Sequence, residues 1–252
     1  MTALHHAITG PEGAPVLLLG GSLGTDLGMW DGQLPLADGR RLVRFDTRGH
    51  GASPVPPGPY AIADLGRDML ELMDNLGLAR ASYCGLSLGG MIGMWLAANA
   101  PDRLDRLVLL CTAAWMPTAP VYAERAAAVR AAGSTEPVAD AVLERWLTAP
   151  FDAAHPDIRA RLRAMIVATP AEAYAGCCEA IAVMDPRRDL ARIAAPTLVI
   201  SGADDPATPV ELQAAIAAAI PGARHEVVAS AAHLAAVEQP ATVNDLIGEH
   251  LS

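Results

Sequence analysis

The 252-residue sequence predicts an α/β fold, with a mostly parallel central sheet flanked by helices and a helical cap inserted in its second half. Short apolar runs alternate with helical patterns in the first part of the chain, which is typical of a parallel sheet covered on both faces. From about residue 116 to residue 189 the sequence has helical spacing, repeated prolines and no buried-strand pattern. Strand-like runs then resume, so the helical segment interrupts the sheet.

Each predicted strand is a short apolar run, and each predicted helix has apolar residues at helical spacing. Val16 to Leu19 and Leu42 to Phe45 are the first predicted strands. The amphipathic helix Ile62 to Leu76 ends near Gly77, because glycine suits the end of a helix. The elements that follow are a strand from Ala81 to Cys84, a helix from Met91 to Ala98, a strand from Arg106 to Cys111, strands from Thr197 to Ser201 and His225 to Val228 with a helix between them, and a C-terminal helix.

These elements predict a core formed by residues 1–115 and 190–252 and a helical cap formed by residues 116–189. An apolar fraction of 52% is sufficient for a large buried core. The insertion lies between segments that carry candidate site residues. We therefore interpret it as a lid that excludes water and shapes a pocket.

The composition excludes several classes of partner. A net charge of −10 argues against nucleic acid, whose phosphates require a basic surface. The chain has no apolar run long enough for a membrane span, and Met1 to His6 has no features of a signal peptide, so we expect a cytoplasmic protein. If its substrate is an anion, this acidic chain has to supply local positive groups. The sequence leaves open whether copies associate into a homo-oligomer.

The four cysteines do not suggest a disulfide framework or a zinc site. Cys177 and Cys178 are adjacent, which suits neither. Cys84 and Cys111 lie in strand-like runs, where a small buried apolar residue is the simplest interpretation. A cysteine nucleophile is the weaker alternative.

A candidate nucleophile lies in the segment Gly85-Leu86-Ser87-Leu88-Gly89, between a predicted strand and a predicted helix. A G-x-S-x-G sequence in this context predicts a nucleophile elbow, a sharp turn that exposes a serine hydroxyl at the edge of a sheet. The glycines avoid collisions between the strand and the helix. Because serine is a weak nucleophile near neutral pH, Ser87 requires a base and a group that orients the base.

The candidate acid follows the strand that ends near Ser201. Asp204 and Asp205 both lie at the carboxyl end of this strand, where ligands bind in open α/β sheets. Adjacent side chains in a loop diverge, so one aspartate faces the base, and we favour Asp205. The alternative is that both only cap the helix that begins near Pro209.

The candidate base is His233, just past the last predicted strand. The other histidines fit less well, because they lie at the N-terminus, in a glycine-bounded loop, in the insertion, in a strand or in the tail. A single histidine is more often structural than catalytic. However, the order Ser87, Asp205, His233, each after a predicted strand, is the order of serine, acid and histidine in α/β-hydrolases.

Acyl transfer also requires backbone donors for the developing oxyanion. The amide of Leu88, which follows the nucleophile, is one candidate. The second should come from the glycine-rich loop at residues 20–24, after the strand that begins at Val16. We favour the amide of Leu23, with Ser22 as the alternative.

Several motifs together resemble the 3-oxoadipate enol-lactonases, a family of α/β-hydrolases. The G-x-S-x-G and Arg-Gly-His-Gly sequences alone indicate only the wider superfamily, whereas the combination is more specific. The motifs are Gly-Ser-Leu-Gly-Thr-Asp-Leu at 21–27, Met-Trp-Asp at 29–31, Asp-Thr-Arg-Gly-His-Gly at 46–51, Cys-Gly-Leu-Ser-Leu-Gly-Gly at 84–90 and Tyr-Ala-Gly-Cys-Cys at 174–178. Gly21 is a departure, since members of this family often have asparagine there.

The resemblance implies hydrolysis of 3-oxoadipate enol-lactone, a small-molecule substrate, to 3-oxoadipate in protocatechuate and catechol catabolism. Ser87, His233 and Asp205 would then be nucleophile, base and acid. This chemistry requires neither a metal nor an organic cofactor. The same scaffold could instead support carbon–carbon bond hydrolysis, carboxylesterase or perhydrolase activity, or a small-molecule receptor.

The carboxylate of such a lactone needs a cationic or hydrogen-bonding partner. Arg145 and Trp146, in the predicted cap, are candidates for this role. The alternative for the pair is a surface charge and a packed helix residue. Arg48, by contrast, is expected to stabilise its own loop.

Overall fold

A central sheet of seven strands organises the described part of the chain, residues 3–252 of a computed structural model. Its strand order is β1-β3-β2-β4-β5-β6-β7. The strands are β1 (His6–Thr9), β2 (Val16–Gly20), β3 (Arg41–Phe45), β4 (Ala81–Leu86), β5 (Leu104–Leu110), β6 (Thr197–Gly202) and β7 (Arg224–Val228). β1 pairs antiparallel with β3, and every other pairing is parallel, so the predicted mostly parallel sheet is confirmed.

Met1 and Thr2, the first residues of the predicted core range and of the segment interpreted as having no signal-peptide features, lie outside the described residues. The sequence analysis did not predict β1. This strand is a short, partly exposed edge strand without the apolar run that identified the others. It pairs on only one side, so it needs fewer apolar residues than a central strand.

Helices cover both faces of the sheet. The helices of the core are α1 (Ile62–Asn75), α2 (Leu88–Asn99), α8 (Val210–Ala219), α9 (Ala235–Glu238) and α10 (Pro240–His250), with 3₁₀ segments at Leu27–Ala37, Pro101–Arg103 and Leu190–Arg192. Buried side chains that alternate along the strands form two apolar clusters, one on each face. In β4, for example, Tyr83 belongs to one cluster and Cys84 to the other.

Two predicted boundaries were wrong in an informative way. The helix predicted from Met91 begins at Leu88, directly after Ser87, because its first turn is rich in glycine and carries little helical signal. The strand predicted to end at Cys111 ends at Leu110. Cys111 has a φ of 43°, so the chain turns there instead of continuing as a strand.

Residues 116–189, all of them described, contain five α-helices and no strand. They are α3 (Ala119–Ala132), α4 (Glu136–Trp146), α5 (Ala149–Ala154), α6 (Pro156–Ala168) and α7 (Ala171–Val183). Prolines lie in the first turn of α3, α4, α5 and α6, where the missing amide hydrogen breaks no helical bond. The prolines thus divide the segment into short helices, which we call the cap.

Within residues 3–252, no single helix has both the length and the apolar character needed to cross a membrane. Only the pair α6 and α7, which meet at a bend of 93°, satisfies the length and composition criteria when the two helices are taken together.

Candidate active site

Ser87 occupies the sharp turn between β4 and α2. Its φ of 56° and ψ of −112° are unfavourable for a residue with a side chain, and such strain concentrates at functional sites. A Cβ atom at Gly85 would lie 2.2 Å from the Gly89 carbonyl oxygen, and one at Gly89 would lie 2.1 Å from the Gly20 carbonyl oxygen. Only glycine therefore fits on either side of the serine.

Neighbouring strands hold this turn in place. The Ser87 amide donates a hydrogen bond to the Leu110 carbonyl at 3.0 Å, and Thr112 Oγ1 donates to the Ser87 carbonyl at 2.7 Å. The Ser87 backbone is thus fixed by β5 and the segment after it. The residue is 7% exposed and lines the cavity described below.

Asp205 and His233 form a buried pair at the carboxyl end of the sheet. His233 Nδ1 lies 2.9 Å from Asp205 Oδ2, and both residues are buried. Asp204 is exposed, so the structure brings Asp205, and not Asp204, to the imidazole. Asp205 also accepts hydrogen bonds from the Ala207 and Thr208 amides and from Thr208 Oγ1, which order the turn before α8.

The Asp205 carboxylate is held in its charged form. Burial acts to raise the pKa of this carboxyl, but the attraction of His233 and the hydrogen bonds from His233 and Thr208 outweigh it. The pKa of Asp205 is consequently lower than its ordinary value of 3.8. A carboxylate on Nδ1 directs the other imidazole nitrogen, Nε2, away from the acid.

Glu238, which the sequence analysis missed, fixes the loop that carries His233. This buried side chain accepts hydrogen bonds from the Thr148 amide at 2.8 Å, from Thr148 Oγ1 at 2.7 Å and from the Ala232 amide at 2.5 Å. Nearby, the Leu234 amide donates to the Trp146 carbonyl at 2.9 Å. The histidine loop is therefore joined to the end of α4 in the cap.

The loop after β2 presents one free amide between two that are engaged. The Ser22 amide donates to Met29 Sδ at 3.3 Å, and the Gly24 amide donates to His50 Nε2 at 2.9 Å. In the described part of the chain, the Leu23 amide has no hydrogen-bond acceptor. Leu88 is the first residue of α2, where an amide has no acceptor within the helix. This arrangement favours Leu23 over Ser22 as the donor that accompanies Leu88.

His50 is the second residue whose structural role was missed. Its imidazole is completely buried and lies between the Gly24 amide and the Arg48 carbonyl, which is 3.1 Å from Nδ1. Burial lowers the pKa of His50, which keeps the ring neutral. The Arg-Gly-His-Gly motif was a usable signal, but it was interpreted only as a sign of the superfamily. Arg48 is bound to Asp68 through two nitrogens, as expected of a residue that stabilises its loop.

A cavity connects the core residues with the cap. Ser22, Leu23, Ser87 and His233 line it from the core. Arg145 and Trp146, predicted as candidates for substrate contact, line it from the cap. It encloses about 370 Å³ including its open mouth. The nucleophile and base candidates therefore face one space, closed on the other side by the cap.

Three further polar side chains of the cap, none of them predicted to contact substrate, line the same cavity: Tyr122, Arg125 and Tyr174. Arg125 Cζ lies 5.2 Å from the centre of the Tyr122 ring. Tyr174 Oη is buried and has no hydrogen-bond partner of good geometry among the described residues, although the Arg125 guanidinium lies beside it. The weak helical amphipathicity of α3 and α7 gave no signal for which side chains face the core.

The four cysteines are buried thiols. Burial raises the pKa of Cys84, Cys111 and Cys177 above their ordinary values, and it raises that of Cys178 to about 12. None of them lines the cavity that contains Ser87. The interpretation of Cys84 and Cys111 as buried apolar residues agrees with their positions.

Known proteins resemble this chain over nearly its whole length. The family model for the α/β-hydrolase fold matches residues 14–240. The chain is 40% identical to 3-oxoadipate enol-lactonase 2 of Acinetobacter baylyi, over 97% of this chain and 91% of that protein. The crystal structure of the enol-lactonase from Burkholderia xenovorans has a TM-score of 0.96 and 42% identity, covering 99% of this chain and 96% of that one.

A thermophilic esterase from Thermogutta terrifontis, solved with malate bound, has a TM-score of 0.92 and 32% identity, with coverage of 99% of this chain and 93% of that one. The resemblance that the motifs indicated is thus confirmed by similarity along the chain, and the predicted fold is confirmed by the sheet and its helices. The chain belongs to the α/β-hydrolase family, in the group that contains the 3-oxoadipate enol-lactonases.

Proposed function

We propose that the protein hydrolyses 3-oxoadipate enol-lactone to 3-oxoadipate through an acyl-enzyme on Ser87. The observation that carries the proposal is that His233, whose Nδ1 lies on the Asp205 carboxylate, lines the same cavity as Ser87. The similarity to enol-lactonases supports lactone hydrolysis. The pathway, protocatechuate and catechol catabolism, follows from the substrate of the relatives and is part of the proposal.

In the first half of the reaction, Ser87 Oγ attacks the lactone carbonyl while His233 Nε2 accepts its proton. Asp205 stabilises the imidazolium through Nδ1–H. The amides of Leu23 and Leu88 donate to the oxyanion. Collapse of the tetrahedral intermediate breaks the ring C–O bond, and His233 returns the proton to the leaving enol oxygen.

The released enol relaxes to a ketone, which removes the oxygen nucleophile that could close the ring again. In the second half, His233 accepts a proton from water, the hydroxide attacks the acyl-enzyme, and the protonated His233 restores the Ser87 hydroxyl. Every proton taken is returned. Arg145 and Trp146 are proposed to contact the substrate, because they line the same cavity as Ser87.

The test follows the loss of enol-lactone absorbance with purified protein. We expect rapid loss with the unaltered protein. Ser87→Ala should lower kcat by about 10⁶-fold, because removing the nucleophile disables the whole unit. A circular dichroism spectrum and an unfolding midpoint equal to those of the unaltered protein would show that the variant is folded. Retention of lactone turnover by Ser87→Ala would contradict the proposal.

Carboxylesterase action is the second candidate, favoured by the similarity to the Thermogutta terrifontis esterase. The same preparation is therefore assayed with simple aryl esters and with a diketone. A kcat/KM for aryl esters far above that for the lactone would make the esterase the better assignment. Preferential cleavage of the diketone would instead indicate carbon–carbon bond hydrolysis on the same scaffold.

A further inference from the structure

We propose that Arg125 binds a carboxylate of the substrate and makes the site selective for esters and lactones that carry a negative charge. This inference rests on the proposed function, hydrolysis at Ser87. It concerns a residue of α3 that neither the motifs nor the predicted pocket residues included. Four observations on the cap support it.

The first observation is the pairing of the cap arginines. The helices α3–α7 contain six arginines. Four of them form ion pairs with carboxylates, namely Arg130, Arg159, Arg161 and Arg163. Arg125 and Arg145 have no carboxylate within ion-pair distance in residues 3–252. The two unpaired cap arginines are the two that line the cavity with Ser87.

The second observation is the environment of Arg125. Its guanidinium is partly buried and stacks on the Tyr122 ring. Burial acts to lower the pKa of Arg125, but the phenols of Tyr174 and Tyr122 outweigh it, so the guanidinium stays charged. A partly desolvated cation without a counter-ion is costly, and an anionic ligand relieves that cost.

The third observation is the phenol of Tyr174. Its Oη is buried at the cavity without a hydrogen-bond partner of good geometry in the described chain. A carboxylate on the Arg125 guanidinium would accept that O–H and complete its hydrogen bonding. A phenol and a guanidinium together supply the directional donors that a carboxylate needs.

The fourth observation is the sign of charge inside the cavity. The protein has a net charge of −10, yet no aspartate or glutamate of the described chain lines this cavity. Arg145, the other cation, is partly buried like Arg125, but its Nη2 lies 3.5 Å from the Pro206 carbonyl in a solvent-exposed contact. We therefore assign the direct contact with the carboxylate to Arg125, whereas Arg145 contacts another part of the substrate and adds an attractive field. The site thus opposes the field of the whole molecule, as an anionic substrate requires.

The test compares two p-nitrophenyl esters that share the same acyl chain. One is mono-p-nitrophenyl adipate, with a free carboxylate, and the other is its methyl-capped diester, which is neutral. We expect Arg125→Gln to lower kcat/KM for the charged ester by about 100-fold, mainly through KM, because loss of a desolvated charge pair weakens binding. For the neutral ester the change should stay within about threefold, because no charged contact is lost. Arg125→Lys should recover part of the charge preference.

Arg130→Gln is the matched control, because Arg130 lies on the same helix and pairs with Glu172 and Glu179. It should leave the ratio of the two kcat/KM values unchanged. Equal losses on both esters with Arg125→Gln would overturn the inference, since they would show a packing role. An unaltered protein that hydrolyses the lactone without preferring the charged ester would also overturn it, while leaving the proposed function in place. A charge preference that depends on Arg125, in a protein inactive on the lactone, would instead defeat only the lactone assignment.

Discussion

The core and the cap contribute to the cavity in different ways. Ser87, Leu23 and His233 come from the core, where strand ends, glycines and buried hydrogen bonds leave each of them one position. Arg125 and Arg145 come from the cap, where they lie on short helices joined by proline-containing turns. The difference teaches that the core holds the proposed reacting groups in fixed positions, whereas the cap supplies the side chains to which we assign selection of the substrate.

After Ser87→Ala, the largest expected effect tests the core side of this comparison, with two adjacent aspartates. Asp205→Asn should lower kcat by about 10⁴-fold, because an amide in place of the carboxylate no longer fixes the His233 tautomer or stabilises the imidazolium. Asp204→Asn should leave kcat within about twofold, because Asp204 is exposed and the carboxylate bound to the imidazole is that of Asp205. Steady-state kinetics on one substrate measure both variants. Similar losses in the two would show that the core does not distinguish these positions.

Glu238 tests the connection between the two regions. Glu238→Ala should lower the free energy of unfolding by about 2–5 kcal/mol, because it leaves the partly buried Thr148 amide and the buried Ala232 amide without acceptors. It should also lower kcat, since the loop of His233 loses its anchor. Urea denaturation and steady-state kinetics measure the two effects. Glu249→Ala, at an exposed position paired with Arg224, is the control and should leave both values unchanged. A stable variant with normal kcat would show that the regions are held together elsewhere.

Core and cap also differ in how much of the candidate site could be predicted from the sequence. The turn at Ser87 was predictable because only glycine fits at positions 85 and 89. This steric requirement is visible in the sequence as the two glycines themselves. Strand position limited the acid to Asp204 or Asp205 without distinguishing them, and the structure places the carboxylate of Asp205 on His233. Ser87 and Asp205 each follow a buried strand, and buried strands are the strongest signal in an α/β sequence.

The cap could be predicted as helical but not resolved into a site. Its helices are rich in alanine, so helical spacing alone does not show which face lies over the cavity. Arg145 was selected from the sequence as a cationic residue of the predicted cap next to Trp146. Arg125 could be selected only from the structure, which shows that four of the other cap arginines form ion pairs. Glu238 and His50 act through backbone amides that are distant in sequence, and no local pattern records such contacts.

A pH-dependent effect is expected from His50, which supports the core loop of Leu23. Because burial lowers the pKa of His50, the folded protein holds the ring neutral while the unfolded chain takes up a proton below the ordinary value of 6.5. The stabilisation from this group is therefore complete above pH 6.5 and is lost as the pH falls below it. As the pH falls below 6.5, the free energy of unfolding should decrease more steeply for the unaltered protein than for His50→Gln. The difference between the two slopes should be up to about 1.4 kcal/mol per pH unit.

Urea denaturation between pH 8 and pH 5 measures the two slopes. The comparison with the variant is needed because burial also lowers the pKa of His225 and His250, whose contributions are common to both proteins. Equal slopes would show that His50 is not held neutral, and that the Gly24 amide is not bound to an unprotonated Nε2.

The smallest expected effect is the modification of buried thiols, whose rates compare the packing of the core with that of the cap. Cys84 and Cys111 report on the core, and Cys177 and Cys178 report on the cap. All four are buried, and burial raises the pKa of each thiol, so a thiol reagent should modify none of them within the time in which it modifies the urea-unfolded chain completely. Activity should be unchanged after the treatment. Mass spectrometry of peptides after limited labelling identifies the sites. Labelling of the cap pair ahead of the core pair would show that the cap opens independently of the sheet, whereas inactivation by labelling at any of the four would contradict a serine-based site lined without thiols.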